Sequence, residues 1–369
     1  MITIDQVTGD LIELLKIDSP TFRESDASAW LKAKLAEFGV DADDDGRASE
    51  VGGECGNLVA RIPGTDAEPL LLNAHMDNVP PCEGVKPHLD GFIVRTDGTT
   101  VLGGDDKCGC IAILAALREI VQKDIPRPPL EIIFTVAEEV GLEGAKVVDY
   151  SKVAAKRAVV CESGGVGTIT VKAPSAEKWD AVITGKAAHA GVAPERGVNA
   201  IRIASEAISE MRVGKLDEET TANVGVIDGG DARNVVPAGC RIQGEARSHD
   251  PEKLAAQMAD VDRCLQEAAK RHGGSAELSR ASSYVAFDIP EASAVLRMTI
   301  QAAREVGVEP NPRPTGGGSD ANVFNERGIE TVIISCGSTE VHTLNEHVDV
   351  RHLHKASEWL TRIVEMASA

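Results

Sequence analysis

The 369-residue sequence is poor in aromatic and basic side chains. Aromatic residues make up only 3% of it, and 38 Lys and Arg face 58 Asp and Glu, which gives a formal net charge of −20. A nucleic-acid-binding surface needs a basic face, and stacking against bases needs aromatic rings. We therefore expect no nucleic-acid partner.

Long hydrophobic runs and closely paired cysteines are also absent. No stretch approaches the roughly 18 apolar residues of a membrane helix. The 8 cysteines are scattered without a Cys-x-x-Cys pair, and the first residues, Met1-Ile-Thr-Ile-Asp-Gln6, lack the pattern of a secretory signal. These features favour a protein without membrane contact in a reducing compartment, so we expect a cytoplasmic location.

The length suggests two domains, and the 43% of hydrophobic residues suffices for a large core. Apolar runs typical of strands buried on both faces alternate with helical patterns, which predicts an α/β domain with a mostly parallel sheet covered by helices. From about residue 171 to 285 the pattern changes to strands around two long helices, at 197–211 and 251–271, which indicates an α+β insert. We therefore predict a discontinuous domain of residues 1–170 and 286–369, interrupted by a smaller domain of residues 171–285.

Polar side chains follow the predicted buried strands at 70–74, 130–136 and 157–161. His75 and Asp77 end the first, Glu138 and Glu139 the second, and Glu162 the third. The carboxyl ends of parallel strands meet at one edge of the sheet, where ligands bind. Taken singly, each group is better explained as a core histidine or as part of a solvated acidic loop. Taken together, they suggest a two-metal hydrolase.

A second acidic pair, in a fourth segment of the chain, strengthens this interpretation. Asp105 and Asp106 follow Gly103-Gly104 at the start of an apolar helix. Acidic residues suit the positive end of a helix dipole, but adjacent carboxylates also repel one another.

Neighbouring residues at a strand end point to opposite sides, so one of Glu138 and Glu139 can bind a metal while the other reaches a water molecule.

Several motifs, in the order in which they occur, resemble the M20 family of zinc exopeptidases, and its peptidase T-like branch most closely; glutamate carboxypeptidase and the aminoacylases are relatives. The matching segments are Leu71-Leu-Asn-Ala-His75-Met-Asp77, Gly104-Asp105-Asp106-Lys107-Cys108-Gly109, Glu138-Glu139, Glu162, Gly185-Lys-Ala-Ala-His189, Asp231-Ala-Arg-Asn234, Gly244-Glu-Ala-Arg247 and Val341-His342-Thr343-Leu-Asn-Glu346.

The resemblance implies two metal ions bridged by one carboxylate. His75, Asp105 and Glu162 would bind one ion, and Asp105, Glu139 and His342 the other. Asp106 occupies the variable position of an Asp-x-Lys pattern and is not expected to be a ligand. Zinc suits such nitrogen and oxygen ligands, and cobalt or manganese is an alternative. Glu138 would act as the general base, and Asp77 would orient His75.

The resemblance also implies a substrate site and a homodimer. His189 and Asn234 would stabilise the oxyanion, and Arg247 would bind a terminal carboxylate beside the backbone N–H groups of Gly317 and Gly318. The insert would serve as a dimerisation or lid domain, and His189 would reach across the two-fold axis into the partner's site.

The expected substrates are short peptides, chiefly di- and tripeptides, cleaved by an exopeptidase of the peptidase T type. Glu162 departs from this branch, since peptidase T has an aspartate there, whereas carboxypeptidases and acylases have a glutamate. A carboxypeptidase or an N-acyl-amino-acid amidohydrolase is therefore an alternative. A non-catalytic protein that binds small ligands on the same fold is an alternative of another class.

Overall fold

The computed structural model describes residues 2–368, which divide into two compact units. The larger unit runs up to Lys172 and includes Asp288–Thr315 and the residues from Ser319 onward, and the smaller unit comprises Ala173–Phe287 with Gly316–Gly318. No helix within residues 2–368 combines the length and the apolar character needed to cross a bilayer.

The strands alternate with helices through most of the chain. The strands are β1 (Ala42–Asp44), β2 (Leu58–Ile62), β3 (Leu70–His75), β4 (His88–Asp90), β5 (Ile93–Arg95), β6 (Leu130–Thr135), β7 (Arg157–Glu162), β8 (Thr168–Ala173), β9 (Ser175–Thr184), β10 (Ala188–His189), β11 (Gly214–Lys215), β12 (Thr220–Gly229), β13 (Val235–Val236), β14 (Gly239–Ser248), β15 (Ser275–Tyr284), β16 (Phe287–Asp288), β17 (Asn311–Pro314), β18 (Glu330–Ser335), β19 (Ser338–Thr339) and β20 (His347–Asp349).

The helices are α1 (Ile4–Leu15), α2 (Ser25–Ala36), α3 (Ala48–Val51), α4 (Gly104–Gln122), α5 (Glu143–Val147), α6 (Ala200–Glu210), α7 (Pro251–His272), α8 (Ala294–Glu305), α9 (Asp320–Glu326) and α10 (Val350–Met366), and short 3-10 helices cover Tyr150–Lys152 and Pro194–Arg196.

The larger unit is built on a mixed sheet with the strand order β1-β2-β6-β3-β7-β18-β8-β16, and β17 also pairs with β8. The central strands β6, β3, β7 and β18 run parallel to one another. β3 and β6 are buried along their whole length, as expected for strands covered by helices on both faces. The predicted α/β class, with a mostly parallel sheet, is confirmed.

Helix α4 is the central helix of this unit. Every residue from Asp106 to Leu117 is buried, which explains why its sequence is apolar on all sides instead of amphipathic. α1 and α10 pack against it. Asp105 and Asp106, at its first turn, have non-helical backbone angles, so regular helix begins only after them.

A smaller antiparallel sheet, with the order β19-β20-β5-β4, belongs to the same unit. Its hairpin, formed by β4 and β5, spans residues 88–95 and ends before the approach to α4. The turn lies at Gly91, whose φ of 62° is favourable for glycine alone. Residues 96–103 form the loop that leads into α4.

The smaller unit is an antiparallel sheet, β11-β12-β14-β9-β15, with a separate pair of short strands, β10 and β13. Along β9, buried and exposed residues alternate, so one face of the sheet carries the apolar side chains. Helices α6 and α7 pack on that face, and Trp179, Ile183, Ile203 and Met258 contribute to the shared core.

Candidate metal centre

Three neighbouring parallel strands end at the same edge of the main sheet and carry the polar groups of the site. β3 ends in His75, β6 leads into Glu138 and Glu139, and β7 ends in Glu162. Because β3 pairs with β6 on one side and β7 on the other, the three strand ends are adjacent. The strand pairing therefore assembles these groups from residues nearly ninety positions apart.

Asp105 lies between two histidine rings. Its Oδ1 is 3.5 Å from Nε2 of His75, and its Oδ2 is 3.4 Å from Nε2 of His342. Gly103, in the left-handed region, turns the chain into this position, and the peptide bond between Asp105 and Asp106 is cis. One carboxylate thus faces two imidazoles through different oxygens, which is the arrangement of a bridging ligand.

Among the described residues, three groups bring potential ligand atoms within 4.8 Å of one another. They are Asp105 with Glu139 and His342, His75 with Asp106 and Glu162, and His75 with Glu138 and Glu139. In the first group, Nε2 of His342 lies 3.0 Å from Oε1 of Glu139. The second contains Asp106, a residue that the family pattern does not make a ligand.

The donor atoms suit a divalent cation. Oδ1 of Asp105 and Oδ2 of Asp106 are buried and have no hydrogen-bond partner. A buried carboxylate oxygen without a donor is costly unless a proton or a cation compensates it. Imidazole nitrogens and carboxylate oxygens without thiolate are ligands of zinc, cobalt and manganese, so the residues fit the metal that the family resemblance implies.

Burial and mutual repulsion hold several of these acids in their neutral form. Burial, together with the charges of Glu162 and Glu139, raises the pKa of Glu138 well above its usual range. Burial and the charge of Asp105 raise the pKa of Glu162 to about 8, although Ser319 donates a hydrogen bond to it. Without a cation, the site thus retains protons at neutral pH.

The pKa values of the two histidines and of Asp105 shift in the opposite sense, which favours the charged form of each group. Burial alone would lower the pKa of His75, but Asp105 and Asp77 outweigh it and raise the pKa well above its ordinary value. Asp105 and Glu139 raise the pKa of His342 to about 10. Burial alone would raise the pKa of Asp105, but the imidazoles of His342 and His75 lower it.

Asp77 fixes the turn that carries the two glutamates. It is fully buried, and its carboxylate accepts hydrogen bonds from the backbone N–H groups of Glu138 (3.0 Å) and Glu139 (3.2 Å) and from the hydroxyl of Thr21 (2.8 Å). Its Oδ1 also lies 3.4 Å from Nδ1 of His75. Asp77 therefore supports a predicted ligand and the predicted base together.

Glu24 is a supporting residue that sequence reasoning did not identify. It is buried, and its Oε1 accepts hydrogen bonds from the backbone N–H groups of Ala137 and Phe22, each at 2.9 Å. Together with Asp77 it binds three successive N–H groups, those of residues 137–139. A glutamate just before a helix ordinarily indicates only a favourable helix dipole, so its sequence position carried no signal.

His189 and Asn234 are neighbours in the smaller unit. β10 and β13 pair His189 with Val235, and the N–H of Ala190 donates to the carbonyl of Asn234 at 2.9 Å. Nδ1 of His189 accepts from the N–H of Gly191 at 3.1 Å, so Nε2 carries the proton of the neutral ring. The His189 side chain is exposed and has a donor available.

Arg247 is already paired with a carboxylate of the same unit. Its Nε and Nη2 each donate to Glu245 at 3.1 Å, and its Nη1 lies 3.5 Å from the carbonyl oxygen of Gly316. A Cβ at Gly318 would lie 2.3 Å from the ring of Tyr284, so a larger residue there would require that ring to move. A substrate carboxylate would have to share the guanidinium with Glu245, an interaction that the sequence motif did not indicate.

Known proteins resemble this chain over its whole length. A model of peptidase family M20/M25/M40 matches residues 71–366. The crystal structure of the aminopeptidase PepT from Bacillus cereus is 38% identical, with a TM-score of 0.90 and full coverage of both chains. That of a tripeptidase from Staphylococcus aureus is 37% identical, with a TM-score of 0.94 over 100% of this chain and 99% of the other. The uncharacterized protein YqjE of Bacillus subtilis is 40% identical over the full length of both chains.

Proposed function

We propose, because the chain belongs to peptidase family M20/M25/M40 and is a metal-dependent peptide hydrolase, that it is an exopeptidase removing the N-terminal residue from short peptides, tripeptides above all. The Bacillus cereus and Staphylococcus aureus relatives are an aminopeptidase and a tripeptidase. The observation that carries the proposal is the Asp105 carboxylate, which faces His75 and His342 through separate oxygens.

We assign the two cations to the ligand sets that Asp105 shares. His75, Asp105 and Glu162 would hold one, and Asp105, Glu139 and His342 the other. The unpartnered Oδ1 of Asp105 supports this assignment, since a bridging carboxylate needs both oxygens for metal. The ligand chemistry favours zinc, with cobalt or manganese as substitutes.

When bound, the cations would polarise the scissile carbonyl and lower the pKa of the attacking water. Glu138 would take the proton of that water and deliver it to the leaving amine. Burial and neighbouring carboxylates raise the pKa of Glu138 in the metal-free chain. The positive charge of the bound cations would lower that pKa, so that Glu138 is ionised and can accept the proton. Asp77 would keep Glu138 in place through the backbone and keep His75 in the tautomer that ligates through Nε2.

The smaller unit, predicted as residues 171–285, would serve as the dimerisation and substrate-binding domain. Within residues 2–368, the outer edge of β12 has no strand partner beyond Ala222, and Val226 and Ile227 there are exposed. A second copy of the chain would cover such an edge. We propose a homodimer in which His189 donates Nε2–H to the oxyanion of the partner's site, and Asn234 contributes a second donor.

Arg247, with the N–H groups of Gly317 and Gly318, would bind the substrate's terminal carboxylate, in competition with Glu245.

We also expect a cytoplasmic location, because each of the eight cysteines, all within the described residues, is a free thiol. The second candidate function is that of a carboxypeptidase or an N-acyl-amino-acid amidohydrolase. It is favoured by Glu162, which stands where peptidase T has an aspartate.

A substrate panel with defined metals tests the proposal. Metal-free protein, prepared with a chelator and checked by metal analysis, is assayed on a dipeptide, a tripeptide and the N-acetylated tripeptide after addition of zinc, cobalt or manganese. We expect no turnover without metal and release of the N-terminal residue from the free tripeptide. Faster cleavage of the acetylated peptide would favour the second candidate, and full activity of verified metal-free protein would exclude the two-metal mechanism.

A further inference from the structure

Glu346 connects two distant segments of the site without belonging to either predicted ligand set. Its side chain is only 2% exposed. Oε2 accepts a hydrogen bond from the N–H of Gly103 at 2.8 Å, and Oε1 accepts from the N–H of Asp105 at 2.9 Å and from the hydroxyl of Ser338 at 3.1 Å. Both oxygens of one carboxylate thus hold the turn that presents Asp105.

That turn is packed tightly against the residues that hold it. A Cβ added at Gly104 would lie 2.6 Å from Oγ of Ser338, 2.7 Å from Cγ2 of Val348 and 3.2 Å from Oε1 of Glu346. Contacts below 3 Å are not tolerated by a packed protein interior. The turn therefore has little room to move while the carboxylate is in place.

Glu346 also lies four residues after His342, in the same loop between β19 and β20. Asp105 and His342 belong to one potential cation site, together with Glu139. The Glu346 carboxylate belongs to the His342 loop and accepts a hydrogen bond from the backbone of Asp105. It therefore fixes the distance between two potential ligands, Asp105 and His342, that are more than two hundred residues apart in sequence.

We propose that Glu346 is a positioning residue, which sets the geometry of the cation site formed by Asp105, Glu139 and His342 by tying the Asp105 turn to the His342 loop. The inference rests on the proposed two-cation function. It assigns Glu346 no contact with substrate or cation. It predicts that loss of the carboxylate weakens binding of the cation at His342 more than binding of the cation at His75, because the latter shares only Asp105 with the affected segments.

Glutamine at this position is a sharp test because it keeps the size of the side chain and removes one acceptor. In either orientation its amide NH₂ faces a backbone N–H of Gly103 or Asp105, so one donor loses its partner and meets another donor. Ligand geometry then relaxes, and the loss of such a supporting contact typically reduces metal affinity roughly 10–100-fold.

Glu131 offers a matched control in the same unit. It is also a buried carboxylate, and it accepts backbone N–H groups from Ala154 (3.1 Å) and Ala155 (3.0 Å). It lies in the interior of β6 and does not belong to any of the three potential ligand groups. Glu131→Gln should therefore impair folding stability in a similar way while leaving the cation sites intact.

The experiment compares wild type, Glu346→Gln and Glu131→Gln. Each metal-free protein is titrated with zinc in competition with a chromophoric chelator, and its thermal midpoint is measured without metal. We expect wild type to bind two zinc ions and Glu346→Gln to bind the second ion with roughly 10–100-fold lower affinity. Glu131→Gln should keep both wild-type affinities while it loses a comparable amount of thermal stability.

The outcomes separate this inference from the function on which it rests. Wild type that binds no pair of ions would overturn the proposed function and the inference with it. Two wild-type affinities in Glu346→Gln, or an equal loss in Glu131→Gln, would overturn the inference alone. If Glu346→Gln does not fold, Ser338→Ala removes a single donor to Oε1, and unchanged zinc affinity in that variant would overturn the inference.

Discussion

Removal of the cations should leave a protein whose stability falls as the pH rises. Burial raises the pKa values of several carboxyl groups around the site, among them Glu162 to about 8 and Asp320 to about 6. Interactions with Asp105 and Glu139 raise the pKa of His342 to about 10. In each case the folded, metal-free chain holds a proton that the unfolded chain releases at lower pH.

The sign and the size of this change in folding stability follow from the linkage between proton binding and folding. A group whose folded pKa exceeds its unfolded pKa contributes stability that is lost as the pH rises between the two values. For Glu162 this window runs from its ordinary value of 4.5 to about 8. At about 1.4 kcal/mol per pH unit, Glu162 alone would remove at most about 3 kcal/mol between pH 5.5 and 8. Its side chain is partly exposed, so solvent reduces this figure, and we expect roughly 1–3 kcal/mol.

Urea unfolding of the metal-free protein at pH 5.5 and 8 measures this effect, with Glu162→Gln as the variant that cannot ionise. We expect wild type to lose stability over this range and Glu162→Gln to lose less, so that the variant is the more stable protein at pH 8. With saturating zinc the trend in wild type should reverse, because cations and protons compete for the same oxygens. A metal-free wild type that is equally stable at both pH values, or a variant with the wild-type pH dependence, would refute the reasoning.

Two further predictions concern catalysis. Glu138→Gln should reduce turnover about 10²–10⁴-fold with both ions retained, whereas Glu139→Gln should lose one ion by metal analysis; the reverse pattern would exchange their roles. Glu138→Gln and His189→Ala should each be nearly inactive, but their co-refolded mixture should be active at roughly a quarter of its sites if His189 acts in the partner's site. An inactive mixture that demonstrably contains mixed dimers would exclude that crossing.

Much of the fold could be predicted because burial on both faces leaves a strong sequence signal. β3, β6 and β7 are continuous apolar runs, and their ends were predicted within a residue or two. β15 was not identified, since its sequence, Ser-Ala-Glu-Leu-Ser-Arg-Ala-Ser-Ser-Tyr, has few β-branched or aromatic residues. It forms as a sheet edge by backbone pairing with β9, which no local pattern indicates.

The clustering of His75, Glu138, Glu139 and Glu162 could be predicted because these residues end or closely follow the three strands. Two supporting residues, Glu24 and Glu346, could not be predicted, because they act on the backbone. Glu24 binds the N–H of Ala137, and Glu346 binds those of Gly103 and Asp105. A backbone donor is present at every residue except proline, so nothing in the sequence identifies which N–H a distant carboxylate will reach.

The buried carboxylates near the site differ in how their charge is compensated. Asp106 and Asp320 each keep an oxygen without a donor, and their pKa values are raised, so a proton compensates them in the metal-free chain. The His75 imidazole lowers the pKa of Asp77, whose carboxylate also accepts hydrogen bonds from two backbone N–H groups and a hydroxyl. Asp105 combines a lowered pKa with a buried Oδ1 that has no hydrogen-bond partner. An ionised, buried oxygen without a donor is tolerable only beside a positive charge, and the two histidines that now supply it must lose their protons to ligate. The position between His75 and His342 is therefore where we propose the bridged pair of cations.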